Sequence, residues 1–179
     1  MRVLTATLSL CYLFVSCSES QTEKIEQIKE TWEGKNFVFN ESLSIVTDSC
    51  CVVDSLPYTI IYYANSTTCI SCLKKAWEST LTDMEDSIKH RIPTCLIVSP
   101  EISSHLEIVL KGMMQSRPWV IDYHNEILRL NQIPKFDLLN TLLLDKEHKV
   151  LAIGNPIISK SSRMLFLKRI REMDNSKRD

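Results

Sequence analysis

The chain has no excess of either charge: 21 lysines and arginines stand against 22 aspartates and glutamates, a formal net charge of −1, and the two signs are mixed along its length. Without a basic stripe there is no electrostatic footprint for a phosphate backbone, so nucleic acid is not expected as a partner. Internal repeats and low-complexity segments are absent. Beyond the first twenty residues no apolar run reaches the length of a membrane-spanning helix. There is no second Cys-x-x-Cys and no His-x-x-x-His, which leaves a tetrahedral zinc site two ligands short. What remains is 179 residues, 44% hydrophobic and 24% charged, enough for one ordinary globular domain with a full core.

The first twenty residues, "MRVLTATLSLCYLFVSCSES", have one basic residue, Arg2, followed by an uncharged run too short and too interrupted by Ser and Thr for a span; they read as a secretory signal peptide. Its end, Phe14-Val15-Ser16-Cys17, has the character of a bacterial lipobox, in which Cys17 becomes the lipidated first residue. The alternative is ordinary cleavage near residues 18–20 with Cys17 discarded. Two formal glycosylation sequons, at Asn40 and Asn65, weakly favour a eukaryotic source. The expected organisation is a signal over residues 1–17, a polar tether or short helix over 18–35, a domain over 36–174 and a charged tail over 175–179. Localisation follows: a cell envelope, with the protein lipid-anchored to a membrane and facing the periplasm or cell surface.

Of seven cysteines, Cys11 leaves with the signal and Cys17 is acylated, leaving Cys50, Cys51, Cys69, Cys72 and Cys95 in the folded part. Five is odd, so at least one thiol lacks an internal disulfide partner. Cys50 and Cys51 read as half-buried thiols, and Cys95, inside an apolar strand, as an inert core thiol. Short alternating segments, "NFVFN" and "SLSIVT", predict a leading hairpin. "YTIIYY" and "TCLIVS" read as strands buried on both faces, and Leu73, Ala76, Trp77, Leu81, Met84 and Ile88 form one apolar helix face between them. A second helix is predicted from Pro100-Glu101, then a short strand "PWVID", a helical turn near 126–130, the paired strands "FDLLNTLLLD" and "KVLAIG", and a last helix over 158–173. Strands alternating with helices, closed by a hairpin, predict α/β layering. Trp77, Met84 and Trp119 have core spacing.

Cys69 and Cys72 lie where the first buried strand gives way to that helix, in "NSTTCISCLKKAW". A cysteine at a helix start sees unpaired N–H groups and the positive end of the helix dipole, both of which favour thiolate. A second cysteine three positions on shares that face and is placed to attack a mixed disulfide at the first. The pair therefore reads as a redox couple with Cys69 as nucleophile and Cys72 as resolving thiol; a structural disulfide and half a metal site are the alternatives. His148 is the one histidine near the late hairpin and reads as a solvated turn residue. No metal and no cofactor is expected. The expected partners are protein or small-molecule thiols and disulfides, and a membrane through the lipid anchor.

From "IIYYANSTTCISCLKKAW" and "LLNTLLLDKEHKVLAIGNP" the chain resembles the thioredoxin-fold superfamily over residues 36–173. It is similar in particular to TlpA/ResA-type, AhpC/TSA-related proteins and to the short thioredoxin-like lipoproteins of Bacteroides-type bacteria. The resemblance implies a three-layer α/β/α sandwich with a mixed central sheet, extended by the N-terminal hairpin, and a thiol-disulfide oxidoreductase. A non-catalytic binding lipoprotein with a structural disulfide is the alternative. It implies Thr68, Ile70, Ser71, Asn140 and Thr141 as active-site neighbours. Three departures stand out. Thr68 replaces an aromatic residue, the Ile70-Ser71 spacer holds neither Gly nor Pro, and Asn140 falls where the family's cis-proline faces the sulfurs. With Asn there the preceding bond is expected to be trans, with the loop displaced or the amide facing the disulfide.

Overall fold

The computed structural model describes residues 20–39, 57–64, 70–99, 118–134 and 136–176, of which residues 20–22 and 70–74 are described by their backbone alone. The elements are α1 (Ser20–Trp32), β1 (Tyr58–Ala64), α2 (Ile70–Ile88), β2 (Thr94–Val98), β3 (Trp119–Ile121), α3 (Glu126–Asn131), a 3-10 turn (Asp137–Leu139), β4 (Thr141–Asp145), β5 (Val150–Gly154) and α4 (Lys160–Ser176). They build one sheet in the order β3-β2-β1-β4-β5. β1, β2 and β3 are parallel, with Ile60 opposite Thr94 and Leu96 opposite Trp119. β4 is antiparallel to β1, with Tyr62 opposite Thr141, and β5 is antiparallel to β4.

All seven residues of β1 are buried, as a strand covered on both faces requires. Its side chains divide with period two. Tyr58, Ile60, Tyr62 and Ala64 enter a core with Trp77, Leu81 and Met84 of α2 and Phe166, Leu167 and Ile170 of α4. Ile61 and Tyr63 enter a second core with Trp32 of α1, Phe37, Ile127 of α3 and Leu139. Helices thus cover both faces, and the result is the expected thioredoxin-like three-layer sandwich with a mixed sheet. α4 sits close on the end of β5: a Cβ built at Gly154 would lie 2.6 Å from Ser162 Oγ, so only glycine allows that approach.

The segment before β1 is more than a tether. α1 is a helix whose Trp32 is buried, and Lys35 Nζ lies 4.2 Å from the Trp32 ring centroid while donating to Asn131 O at 2.8 Å. Gly34, at φ 83, turns the chain so that Asn36 forms an isolated antiparallel bridge with Lys149 on the edge of β5. The second arm of the leading hairpin and the helix from Pro100 lie outside the described residues, as do residues 1–19. The strand expected over "FDLLNTLLLD" is shorter than that run: its first half is the 3-10 turn, and extended structure starts at Thr141. Asn140, between them, has φ −94 and ψ 8, outside the strand region.

At the opposite end of β1, Tyr58 bonds His90 Nε2, which also lies 3.5 Å from Asp174 Oδ2 of α4. Burial, reinforced by the Asp174 carboxylate, raises the Tyr58 phenol well above its ordinary range, and burial also raises Tyr62. A phenol that keeps its proton in the folded chain but loses it near pH 10 when unfolded contributes stability that declines as pH rises past about 10. Urea unfolding from about pH 8 to about pH 11 should therefore show a falling unfolding free energy above about pH 10. Tyr58→Phe should remove part of that slope; equal slopes for parent and variant would contradict this assignment.

Candidate functional site

The parallel strands β1, β2 and β3 end at one edge of the sheet, at Ala64, Val98 and Ile121. β4 begins and β5 ends at the same edge, where Thr141 pairs with both Tyr62 and Gly154. α2 follows β1 and begins at Ile70, so Ile70, Ser71 and Cys72 form the start of its first turn. The first N–H groups of a helix have no intrahelical partner and carry the positive end of its dipole. Cys72 is therefore placed by its backbone at that pole. Thr68 and Cys69, which directly precede the helix in sequence, lie outside the described residues, as do Cys17, Cys50 and Cys51. The described sites are consequently Asn140, Thr141 and the backbone of α2.

Asn140 is buried at 4% exposure and closes the 3-10 turn before β4. The Leu139–Asn140 peptide is trans, since no described residue has a cis bond. Its carbonyl accepts from Tyr63 N at 2.8 Å. Its amide turns inward rather than outward: Nδ2 donates to the Tyr62 hydroxyl at 3.1 Å, and Oδ1 accepts from Asn155 Nδ2 at 3.0 Å and from the fully buried Thr141 Oγ1 at 3.4 Å. Asn155 also donates to Asp137 O at 2.7 Å and accepts from Ile157 N at 3.0 Å. The Tyr62 ring packs 5.2 Å from that of Trp77 on α2, which joins this cluster to the helix that carries Cys72. Tyr62 is held above its ordinary pKa by burial, against the donated bond from Asn140 and with a further upward push from Asp137.

A second polar cluster sits on the other face of the same edge, and sequence reasoning missed it. Asp122, buried at the end of β3, accepts from Glu126 N at 2.7 Å and Leu128 N at 3.3 Å, holding the first turn of α3. The Tyr63 hydroxyl lies 3.3 Å from Asp122 Oδ2 and 3.4 Å from Asn125 Oδ1, and Ser99 Oγ donates to the same Asn125 oxygen at 3.1 Å. Strand β1 itself contains no carboxylate; Asp122, which lies against the Tyr63 hydroxyl, directly follows β3. The available signal was "VIDYHNE", an Asp after a buried strand and four residues before a backbone N–H it can cap.

Other candidates keep structural roles. Cys95 is buried in the second core with its sulfur 4.0 Å from Leu96 O. His148 occupies the β4–β5 turn at φ 63 with its ring against Phe39 at 4.8 Å. Among the described residues no three His, Cys, Asp or Glu side chains group as metal ligands, and no helix is long and apolar enough to cross a membrane.

No family model and no curated protein matches the chain. Solved structures do align with it. Yeast Sco1 with copper bound is 13% identical, with 67% of this chain and 79% of that one covered at a TM-score of 0.49. A secreted thiol-disulfide isomerase from Corynebacterium glutamicum is 13% identical, with 64% and 71% covered at 0.48. A DsbF homologue from Corynebacterium diphtheriae is 15% identical, with 78% and 94% covered at 0.47. At such identities the likeness extends to chain layout alone.

Removing the Asn140 amide strands the Asn155 donor and the Tyr62 oxygen in a buried place, where an unpaired polar group costs about 1–3 kcal/mol. Asn140→Ala should lower the unfolding free energy by about that amount in chemical denaturation, more than an exposed substitution such as Lys146→Ala. A loss no larger than that of Lys146→Ala would show that the network contributes nothing to stability.

Proposed function

We propose that this chain is an exported, membrane-anchored thioredoxin-like protein that exchanges thiols and disulfides through Cys69 and Cys72. The observation that carries the reading is the start of α2 at Ile70, at the sheet edge where the central strand ends, with Cys72 in the first helical turn and Cys69 immediately before it in sequence. In a compartment that favours disulfides, a dithiol at a helix N-terminus is poised between its two oxidation states by thiolate stabilisation.

The reaction follows from thiolate chemistry. The Cys69 thiolate attacks one sulfur of a substrate disulfide, forming the Cys69–substrate bond and releasing the other substrate sulfur as thiolate. The Cys72 thiolate then attacks Cys69 Sγ, forming the Cys69–Cys72 disulfide and expelling the second substrate thiolate. Two electrons pass from the pair to the substrate, and a donor dithiol running the same steps in reverse restores it. Substrates are protein or small-molecule disulfides. Cys17, the lipid-modified first residue left when the leader is cleaved, holds the protein at the membrane of the cell envelope, because each buried methylene of an acyl chain contributes about 0.8 kcal/mol.

A second reading is favoured by one feature, the buried Asn140 at the position where the related fold presents proline. In that reading the pair is a stable disulfide and the domain is a binding lipoprotein.

Two outcomes separate these readings and test the anchor. The Cys72→Ser variant should accumulate mixed disulfides with partner proteins on non-reducing gels, whereas Cys69→Ser should trap almost none; equal trapping removes the assignment of roles, and none from either favours the binding reading. Cys17→Ser should move the protein from the membrane fraction to the soluble one. Retention of that variant through a salt wash would refute the lipid anchor.

A further inference from the structure

α1 is docked on the domain in a direction fixed by what it touches. Just past its end, Gly34 N donates to Val150 O at 2.8 Å, at the start of β5, and Ile25, Ile28 and Trp32 pack in the second core. Lys24, Gln27, Ile28, Thr31 and Trp32, spaced as one face of the helix, line a groove of about 310 Å³ together with Phe136. Phe136 opens the 3-10 turn that leads into β4, with Leu139 N donating to its carbonyl at 2.8 Å, and Asn155 ties that turn to the end of β5 through Asp137 O. α1 therefore runs from the sheet edge at which α2 begins to the opposite edge, where β5 starts.

The groove is apolar at its base and charged at its rim. Trp32 is buried and Ile28 partly so, whereas Phe136 and, two residues on, Leu138 are 45% and 42% exposed, apolar surface that gains by leaving water. Lys24 is the one cation in the lining; it forms no ion pair among the described residues, unlike Lys29, which is bound to Glu26 at 2.7 Å. Glu23, Glu26 and Glu30 of the same helix take no part in the lining. An apolar base with a free ammonium at its rim fits an amphiphile with a negative headgroup. The helix supplies its source: Ser20 follows Cys17 by three residues, at most about 10 Å of chain, so a bilayer holding an acylated Cys17 lies at the Lys24 end of α1. We propose that the groove seats a membrane phospholipid, its phosphate at Lys24 and its upper acyl chain against Ile28, Trp32 and Phe136, and that the domain is thereby held with the α2 edge of the sheet toward the bilayer. This rests on the lipid-anchored reading above and adds an orientation to it. An edge held there faces partners at the membrane surface.

The test places the lipidated full-length protein in vesicles of phosphatidylcholine and phosphatidylglycerol, with acyl chains either ordinary or brominated near the glycerol, and reads tryptophan fluorescence. Trp32, Trp77 and Trp119 are buried and common to every variant. Phe136→Trp adds an exposed indole at the groove, and Lys146→Trp adds one on the β4–β5 turn at the opposite edge. Contact with acyl chains should lower the fluorescence added by Phe136→Trp by about twofold in the brominated vesicles and leave that added by Lys146→Trp unchanged. Lys24→Glu, placed on the Phe136→Trp protein, should recover most of the lost signal, since it sets a carboxylate against the lipid phosphate. Equal quenching at the two positions, none at position 136, or quenching that Lys24→Glu leaves intact would overturn the inference while the anchor stands. A parent protein that does not float with the vesicles would refute the anchor itself, and the orientation with it.

Discussion

Strand β1 is buried along its whole length at the centre of the sheet, and two of its adjacent residues, Tyr62 and Tyr63, carry hydroxyls into opposite cores. A buried hydroxyl without a partner costs more than a hydrogen bond returns. Each tyrosine therefore dictates polar partners on its own side of the sheet. On one face these are Asn140 and Asn155, which hold the turn before β4 against the end of β5. On the other they are Asp122 and Asn125, with Ser99, which hold α3 and the ends of β2 and β3. The edge of the sheet at which α2 begins is thus framed by loops that are tied to the central strand by its own polar atoms.

That framing bears on chemistry because the helix start and the two polar clusters occupy one edge. The helix contributes a fixed positive pole, which favours thiolate over thiol. Asn140, which falls where the family resemblance implies proline, follows a trans peptide, and its amide is engaged inside the protein with Tyr62 and Asn155.

Much of this layout is legible in the sequence, for physical reasons. The continuous apolar run "YTIIYY" and the three- and four-residue steps from Leu73 to Ile88 follow from burial, which acts on every residue of an element and so leaves an extended signal. The order of strands follows from the alternation of those patterns. Polar contacts leave no such signal. That Asn140 meets Tyr62 and Asn155, or that Asp122 reaches Tyr63, depends on register and loop path across sequence separations of 78, 15 and 59 residues. The 3-10 turn at Asp137–Leu139 was hidden for a related reason: "FDLLN" is as apolar as a strand, and only the tertiary path of the chain bends it. α1 is polar over most of its surface and docks through Trp32, which is buried.

The central claim is that Cys69 and Cys72 form a dithiol that cycles, and their reduction potential tests it most directly. Equilibration of the purified full-length protein in graded ratios of reduced and oxidised glutathione, followed by acid quench and mass analysis of the pair, measures it. The account predicts a reversible transition between dithiol and Cys69–Cys72 disulfide within the range set by glutathione and dithiol redox proteins, about −120 to −270 mV. A pair that stays oxidised at potentials below about −300 mV, as structural disulfides in exported proteins do, would contradict it.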